Sequence, residues 1–391
     1  MRNIQKKWLI GLLCGVVLCG LMACGTTNAG EETGTSLPEA TVTVVPGQQG
    51  EGDVTEQPEA TAAPEATATP VPTATPAPTH APAKREGITI PAEYRQLKKE
   101  HAGTVELISY TTKDYYGDGQ EITKPAYVYL PYGYDETKQY NVLYLLHSAG
   151  GDETEWGLNS QFSTVRLVMD NLIYYGDIEP FIIVTPYGMP SRGFYRETAE
   201  TVDIAYGGFV TELRNDLIPY IEAHYATYGD YNEAGYDMSA ARDHRAIAGG
   251  SFGAMQTIDI GMCECLDLFS WFGPFSPGLT VYEPEEIAER INSFEDYEIR
   301  CIYNVCGNSE TGYAETSVYL LRDLEKWTDK VKRGDNLFMY MVEGGHGKDT
   351  WGLAFTILHK FFSKKVGNKA AGRVWADSTV LGLIADCNGM K

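Results

Sequence analysis

Short apolar runs separated by stretches of helical spacing constrain this chain more than any other feature. The runs are AYVYLP at 126, NVLYLLH at 141, FIIVTP at 181, HRAIAGG at 244, FSWFGPFS at 269, IRCIYNVCG at 299 and NLFMYMVEGG at 336. Between two of them, VTELRNDLIPYIEAHY at 210 puts Leu213, Leu217 and Ile221 on one helical face. Strands covered on both faces read as near-continuous apolar runs, and parallel neighbours need a crossover long enough to hold a helix. The pattern predicts an α/β domain with a mostly parallel central sheet and helices on both faces. In such sheets chemistry collects outside the carboxyl ends of the strands.

The first 84 residues do not belong to that pattern. Arg2, Lys6 and Lys7 precede an uncharged apolar run from Trp8 to Ala23, the layout of an export signal and shorter than the roughly 20 residues that cross a bilayer. The run ends in Leu21-Met22-Ala23-Cys24-Gly25, which resembles the lipobox of bacterial lipoproteins and implies lipidation at Cys24. Residues 25–84 are dominated by Pro, Thr, Ala and Glu, with Pro-Glu-Ala-Thr recurring at 38, 58 and 64. Such a stretch buries too little surface to offset the entropy of ordering it, so it reads as an extended tether. The expected organisation is a signal over 1–24, a tether over 25–84 and one α/β domain over 85–391, exported and held at the bacterial surface by lipid.

Charge and cysteine usage narrow the partners. The net charge is −22, which argues against nucleic acid and anionic headgroups as ligands. Of eight cysteines, Cys14 and Cys19 lie in the signal and Cys24 at its end. The remaining five, Cys263, Cys265, Cys301, Cys306 and Cys387, are an odd number without a ligand cluster for zinc and read as buried thiols. No metal or organic cofactor is expected, since the chain carries no H-E-x-x-H, Walker or dinucleotide fingerprint.

The chemistry is written in four loops. Gly249-Gly250-Ser251-Phe252-Gly253 matches G-x-S-x-G between a strand and a helix-like AMQTIDIGMC, the setting of a nucleophile elbow. Glycines at 249 and 253 leave room for a tight turn that lifts Ser251 above the sheet, and the Phe252 N–H at the helix start is placed to receive an oxyanion. Serine alone is a weak nucleophile at neutral pH and needs a base. His346, behind Gly344 and Gly345 after the last strand, is the candidate; the other histidines fall in the tether or in surface-like and helical stretches, apart from His147 at a strand end. Between them Glu310 follows IRCIYNV, where a carboxylate would hold the imidazole tautomer, with Asp349 as the alternative acid. Upstream, His147-Ser148-Ala149-Gly150-Gly151 offers small residues after a strand, and the Ser148 N–H is the expected second oxyanion donor. The aromatics Trp156, Tyr187, Phe194, Tyr195 and Trp351 are candidates to stack on an acyl group or sugar ring.

With these residues in place, the chain resembles the esterase D-type α/β hydrolases, specifically the carbohydrate esterases related to bacterial feruloyl esterases (family 1 carbohydrate esterases). The resemblance runs from about residue 86 to 364 and rests on VYLPYGYDETKQYNVLYLLHSAGGDETEW, DNLIYYGDIEPFIIVTPYG, FVTELRNDLIPYIEAHY, the stretch Ala241-Arg242-Asp243-His244-Arg245 before AIAGGSFGAM, WFGPFSP and GGHGKDTW. It implies an α/β-hydrolase fold and maps the family's nucleophile, base and acid onto Ser251, His346 and Glu310. Relatives more often have aspartate at 310, glycine at 148 and methionine at 252.

The resemblance implies hydrolysis of feruloyl or acetyl esters on plant polysaccharide such as xylan through an acyl-enzyme. Two rivals stand beside it: an acyltransferase or small-ester hydrolase using the same triad, and a glycan-binding surface lipoprotein without turnover.

Overall fold

The computed structural model of this chain describes residues 90–189, 208–310 and 312–357. The expected signal, tether and Cys24, together with Phe194, Tyr195 and Cys387, lie outside those residues. Eight strands form one sheet: β1 (Thr104–Lys113), β2 (Glu121–Leu130), β3 (Asn141–Leu146), β4 (Phe181–Pro186), β5 (Arg245–Gly250), β6 (Trp271–Phe275), β7 (Cys301–Gly307) and β8 (Leu337–Val342). They lie in the order β1-β2-β4-β3-β5-β6-β7-β8. The six strands from β4 across to β8 pair in parallel. Strand β2 runs antiparallel to both β1 and β4.

All seven apolar runs of the sequence become strands, from β2 to β8. Strand β1, TVELISYTTK, was not among them, and its burial explains why: Ile108, Tyr110 and Thr112 face inward while Leu107 is 60% exposed. A strand with one wet face alternates and leaves no continuous apolar run for a sequence reading to find.

The two faces of the sheet are covered separately. Along β3, Val142, Tyr144 and Leu146 join one apolar layer with Ile182, Val184 and Ile247, closed by Leu213, Leu217 and Ile221. All three are fully buried: Leu213 and Leu217 lie in a π turn, Leu213–Leu217, that runs into α2 (Ile218–His224), which carries Ile221. On the opposite face Leu143 and Leu145 meet Ile183, Ala248 and Val305 beneath Val165, Val168 and Leu172 of α1 (Thr164–Tyr174) and Phe355 of α6 (Lys348–Ile357). Each such side chain contributes about 1.5–3 kcal/mol on full burial, so slipping any strand by one residue would exchange the two layers at prohibitive cost. Cys263, Cys265, Cys301 and Cys306 are buried free thiols, as their spacing implied.

Candidate active site

Four successive loops at the carboxyl ends of β5, β6, β7 and β8 supply the site. Strand β5 ends at Gly250 and α3 (Phe252–Gln256) starts two residues later. Ser251, between them, has φ 54 and ψ −108, and Ser276, just after β6, has φ 49. Among the described residues these are the only two that are not glycine and have positive φ. Such backbone costs on the order of 1–3 kcal/mol and persists where the surroundings over-determine it. At Ser251 the surroundings are the flanking strand and helix. A Cβ at 249 would lie 2.7 Å from the Gly253 carbonyl carbon, and one at 253 would lie 2.7 Å from the His147 carbonyl oxygen. The elbow therefore closes only with glycine at both positions.

The ladder of strand ends carries the next two groups into reach. The Ser251 N–H donates to the Phe275 carbonyl at 2.9 Å, and the Ser276 N–H donates to Val305 at 3.0 Å. Glu310 sits one turn past β7, its side chain fully buried. Its Oε1 accepts the Gly307 N–H at 2.6 Å and lies 3.0 Å from Ser276 Oγ. Its Oε2 accepts from His346 Nδ1 at 2.6 Å. A proton on Nδ1 leaves Nε2 as the acceptor, which is the tautomer a general base requires. His346 keeps 26% of its side chain exposed and is held on two sides. Tyr313 stacks on its face at 3.7 Å between centroids, and Trp351 meets it edge-on at 5.1 Å.

Glu310, rather than Asp349, is thus the carboxylate that touches the imidazole; Asp349 is an exposed residue in the first turn of α6. Gly250, the residue before Ser251, packs on this cluster so closely that a Cβ there would lie 2.4 Å from the Trp351 ring. The Ser251 hydroxyl makes no hydrogen bond among the described residues, and neither does His346 Nε2. Catalytic hydrogen bonds of this kind are often long in the free enzyme and tighten when substrate is bound.

Other expectations are corrected. The Ser148 N–H, expected as an oxyanion donor, is engaged: it donates to Glu155 Oε2 at 2.6 Å while the Ser148 hydroxyl donates to Glu155 Oε1 at 2.7 Å. A carboxylate seven residues on folds back into the small-residue turn and satisfies it. Three aromatics expected to meet substrate are core residues instead. Trp156 is 4% exposed and donates its Nε1–H to the Leu146 carbonyl at 3.0 Å. Trp351 is 3% exposed and donates to Ser276 Oγ at 3.0 Å. Tyr187 is 8% exposed and stacks on His147 at 5.6 Å. Large amphipathic rings near a strand end fill the layer beneath the site as readily as they line it.

Tyr313, Ser276 and Glu155 were not found from the sequence. The available signals were a tyrosine three residues after the acid, a lone serine ending FGPFS, and an acid inside the loop after β3. None has a fixed spacing to the catalytic motif. Of the histidines set aside as solvated or packing residues, His101 lies against Tyr132 and Tyr174, His224 against Tyr220, and His244 stacks on Tyr228 with Nδ1 on Asn141 Oδ1 at 2.8 Å; His80 and His359 lie outside the described residues.

The Esterase family model matches residues 121–362, which is more than half of the chain and includes every residue of the site. The chain belongs to the Esterase family. It is 31% identical over 237 residues to an endo-1,4-beta-xylanase/feruloyl esterase of Xylanibacter ruminicola, covering 57% of this chain and 28% of that one. It is 36% identical over 154 residues to endo-1,4-beta-xylanase Y of Acetivibrio thermocellus, covering 39% of this chain and 13% of that one. The esterase chain thus spans less than a third of the length of these curated relatives. Among solved structures, a mutant feruloyl esterase module from Clostridium thermocellum, complexed with sinapinate, superposes with a TM-score of 0.55 at 27% identity, over 71% of this chain and 94% of that one. The fold of this esterase is accordingly the α/β-hydrolase fold expected from its sequence.

Proposed function

We propose that this esterase removes feruloyl or acetyl groups from plant polysaccharide such as xylan, with Ser251, His346 and Glu310 as nucleophile, base and acid. In the first step His346 Nε2 takes the Ser251 hydroxyl proton as Oγ bonds to the acyl carbon. The oxyanion is received by the Phe252 N–H, and Glu310 stabilises the imidazolium. His346 then returns the proton to the departing sugar oxygen, leaving an acyl-serine, and water repeats the path to release the acid. The reading is carried above all by the 2.6 Å contact between His346 Nδ1 and Glu310 Oε2, with a serine held in strained backbone at the carboxyl end of β5 in the same sheet. The relatives that carry feruloyl esterase activity in their names supply the substrate class. Export and lipidation at Cys24 would set the domain outside the membrane, with residues 25–84 as its reach toward insoluble substrate.

The test is release of ferulate and of acetate from arabinoxylan by the purified chain and by Ser251→Ala. A fall of at least about 10⁴-fold in both is expected; equal rates for the two proteins would end the enzyme reading. Ferulate without acetate would fix the acyl class.

A further inference from the structure

We infer that Ser276 is a positioning residue for Glu310, with Trp351 as the donor that aims it. The inference rests on the triad reading above and extends it by one shell of side chains.

The groups form a closed circuit. Trp351 Nε1–H donates to Ser276 Oγ at 3.0 Å, Ser276 Oγ lies 3.0 Å from Glu310 Oε1, Glu310 Oε2 takes His346 Nδ1–H at 2.6 Å, and the His346 ring returns to Trp351 edge-on at 5.1 Å. A hydroxyl has one proton. With the indole N–H filling a lone pair of Oγ, the oxygens open to that proton are Glu310 Oε1 and the Val305 carbonyl at 3.4 Å, the neighbouring Cys306 sulfur being a weaker acceptor. The carboxylate is nearer and charged, and Val305 O already accepts the Ser276 N–H. The proton therefore points at Glu310.

Two further observations separate this from ordinary core packing. Ser276 is fully buried and holds φ 49, a backbone that glycine would adopt without strain; what serine adds there is the hydroxyl. The acid is also glutamate, whose extra torsion must be fixed before Oε2 can meet the imidazole squarely. Gly307 N–H and Ser276 Oγ–H both grip Oε1 and so fix the carboxylate plane. A buried carboxylate with fewer donors would suffer a desolvation penalty of several kcal/mol.

The experiment compares kcat and KM for 4-nitrophenyl acetate, melting temperature, and the low-field proton resonance of His346 Nδ1–H in the purified chain and its variants. Ser276→Ala and Ser276→Gly should each lower kcat about 10- to 100-fold, the range of one hydrogen bond to a charged group, with KM within about twofold. Ser276→Gly loses the same hydroxyl but relieves the backbone, so it should melt above Ser276→Ala; equal losses of rate in the two, read well below both melting temperatures, then cannot be a loss of fold. The low-field resonance should weaken or shift in both variants. In an Glu310→Ala background, Ser276→Ala should add nothing. Rates within twofold of the parent for both Ser276 variants, or full additivity with Glu310→Ala, would overturn the inference. If Glu310→Ala and His346→Ala themselves keep the parent rate, it is the triad reading that fails.

Discussion

The two ends of β5 carry two polar clusters built on opposite plans. At the amino end Arg245 is buried and paired with Glu222 through two bonds of 2.6 and 3.0 Å, and its remaining nitrogen donates to the carbonyls of Met238 and Leu268. Both side chains of the pair are 1% exposed. At the carboxyl end, six residues away, Ser251 sits in left-handed backbone with no hydrogen bond to its hydroxyl among the described residues, and at the same edge of the sheet His346 keeps an imidazole one-quarter exposed. One cluster is closed: each charge is met and water is excluded. The other is open at the two atoms that would move a proton. Burial of charge by itself therefore says little about function; an unfilled donor or acceptor above a strand end, backed by filled ones beneath it, says much more.

The largest effects should test the open end. Glu310→Ala should cut kcat by about 10³- to 10⁴-fold, the loss seen when the acid of such a triad is removed, whereas Asp349→Ala should leave it within about twofold. Steady-state kinetics on a soluble ester decides it, and a large loss at Asp349 would remove Glu310 from its role. Next, the closed end should answer in stability rather than rate. Glu222→Ala strands a buried guanidinium and should lower the unfolding free energy by about 3–5 kcal/mol in urea, while the fraction still folded turns over substrate normally. A fall in rate without a fall in stability would erase the contrast between the two ends.

A smaller effect sharpens the same comparison by uncoupling strain from chemistry. Ser251→Gly removes the proposed nucleophile and the positive-φ penalty together, so the variant should lose activity yet be more stable than the parent by about 1 kcal/mol. Equal or lower stability would show that the elbow stores no strain. The smallest effect concerns His147, at the end of β3, whose ring is buried with Nδ1 on the Ser148 carbonyl at 2.8 Å. Burial lowers its pKa below the ordinary 6.5, so the unfolded chain binds the proton more readily. Its contribution to stability is complete above about pH 6.5 and is lost as pH falls toward the folded value. His147→Phe should flatten that acid limb of the unfolding free energy, measured between pH 5 and 7; an unchanged limb would show that another group titrates there.

The positions of Ser251, Glu310 and His346 were readable in the chain because each follows a buried parallel strand, and such strands announce themselves as apolar runs bounded by glycine. The same rule failed for β1, which is wet on one face, and for Trp156, Tyr187 and Trp351. An aromatic ring in a loop after a strand has one sequence signature whether it turns toward solvent or down onto the sheet; packing made that choice. The Ser148 amide was lost as an oxyanion donor because Glu155 reaches back to it, a contact set by how the loop closes and by nothing in the local motif.

What the amino-acid order alone determined is the alternation of elements, and hence which residues stand at strand ends: period and composition act over a few residues and need no partners. Which carboxylate meets the imidazole, which hydroxyl grips that carboxylate and which rings are sealed away were decided only by tertiary structure. Those contacts join residues tens of positions apart along the chain, and hydrogen bonds lose their strength within a fraction of an ångström of misplacement.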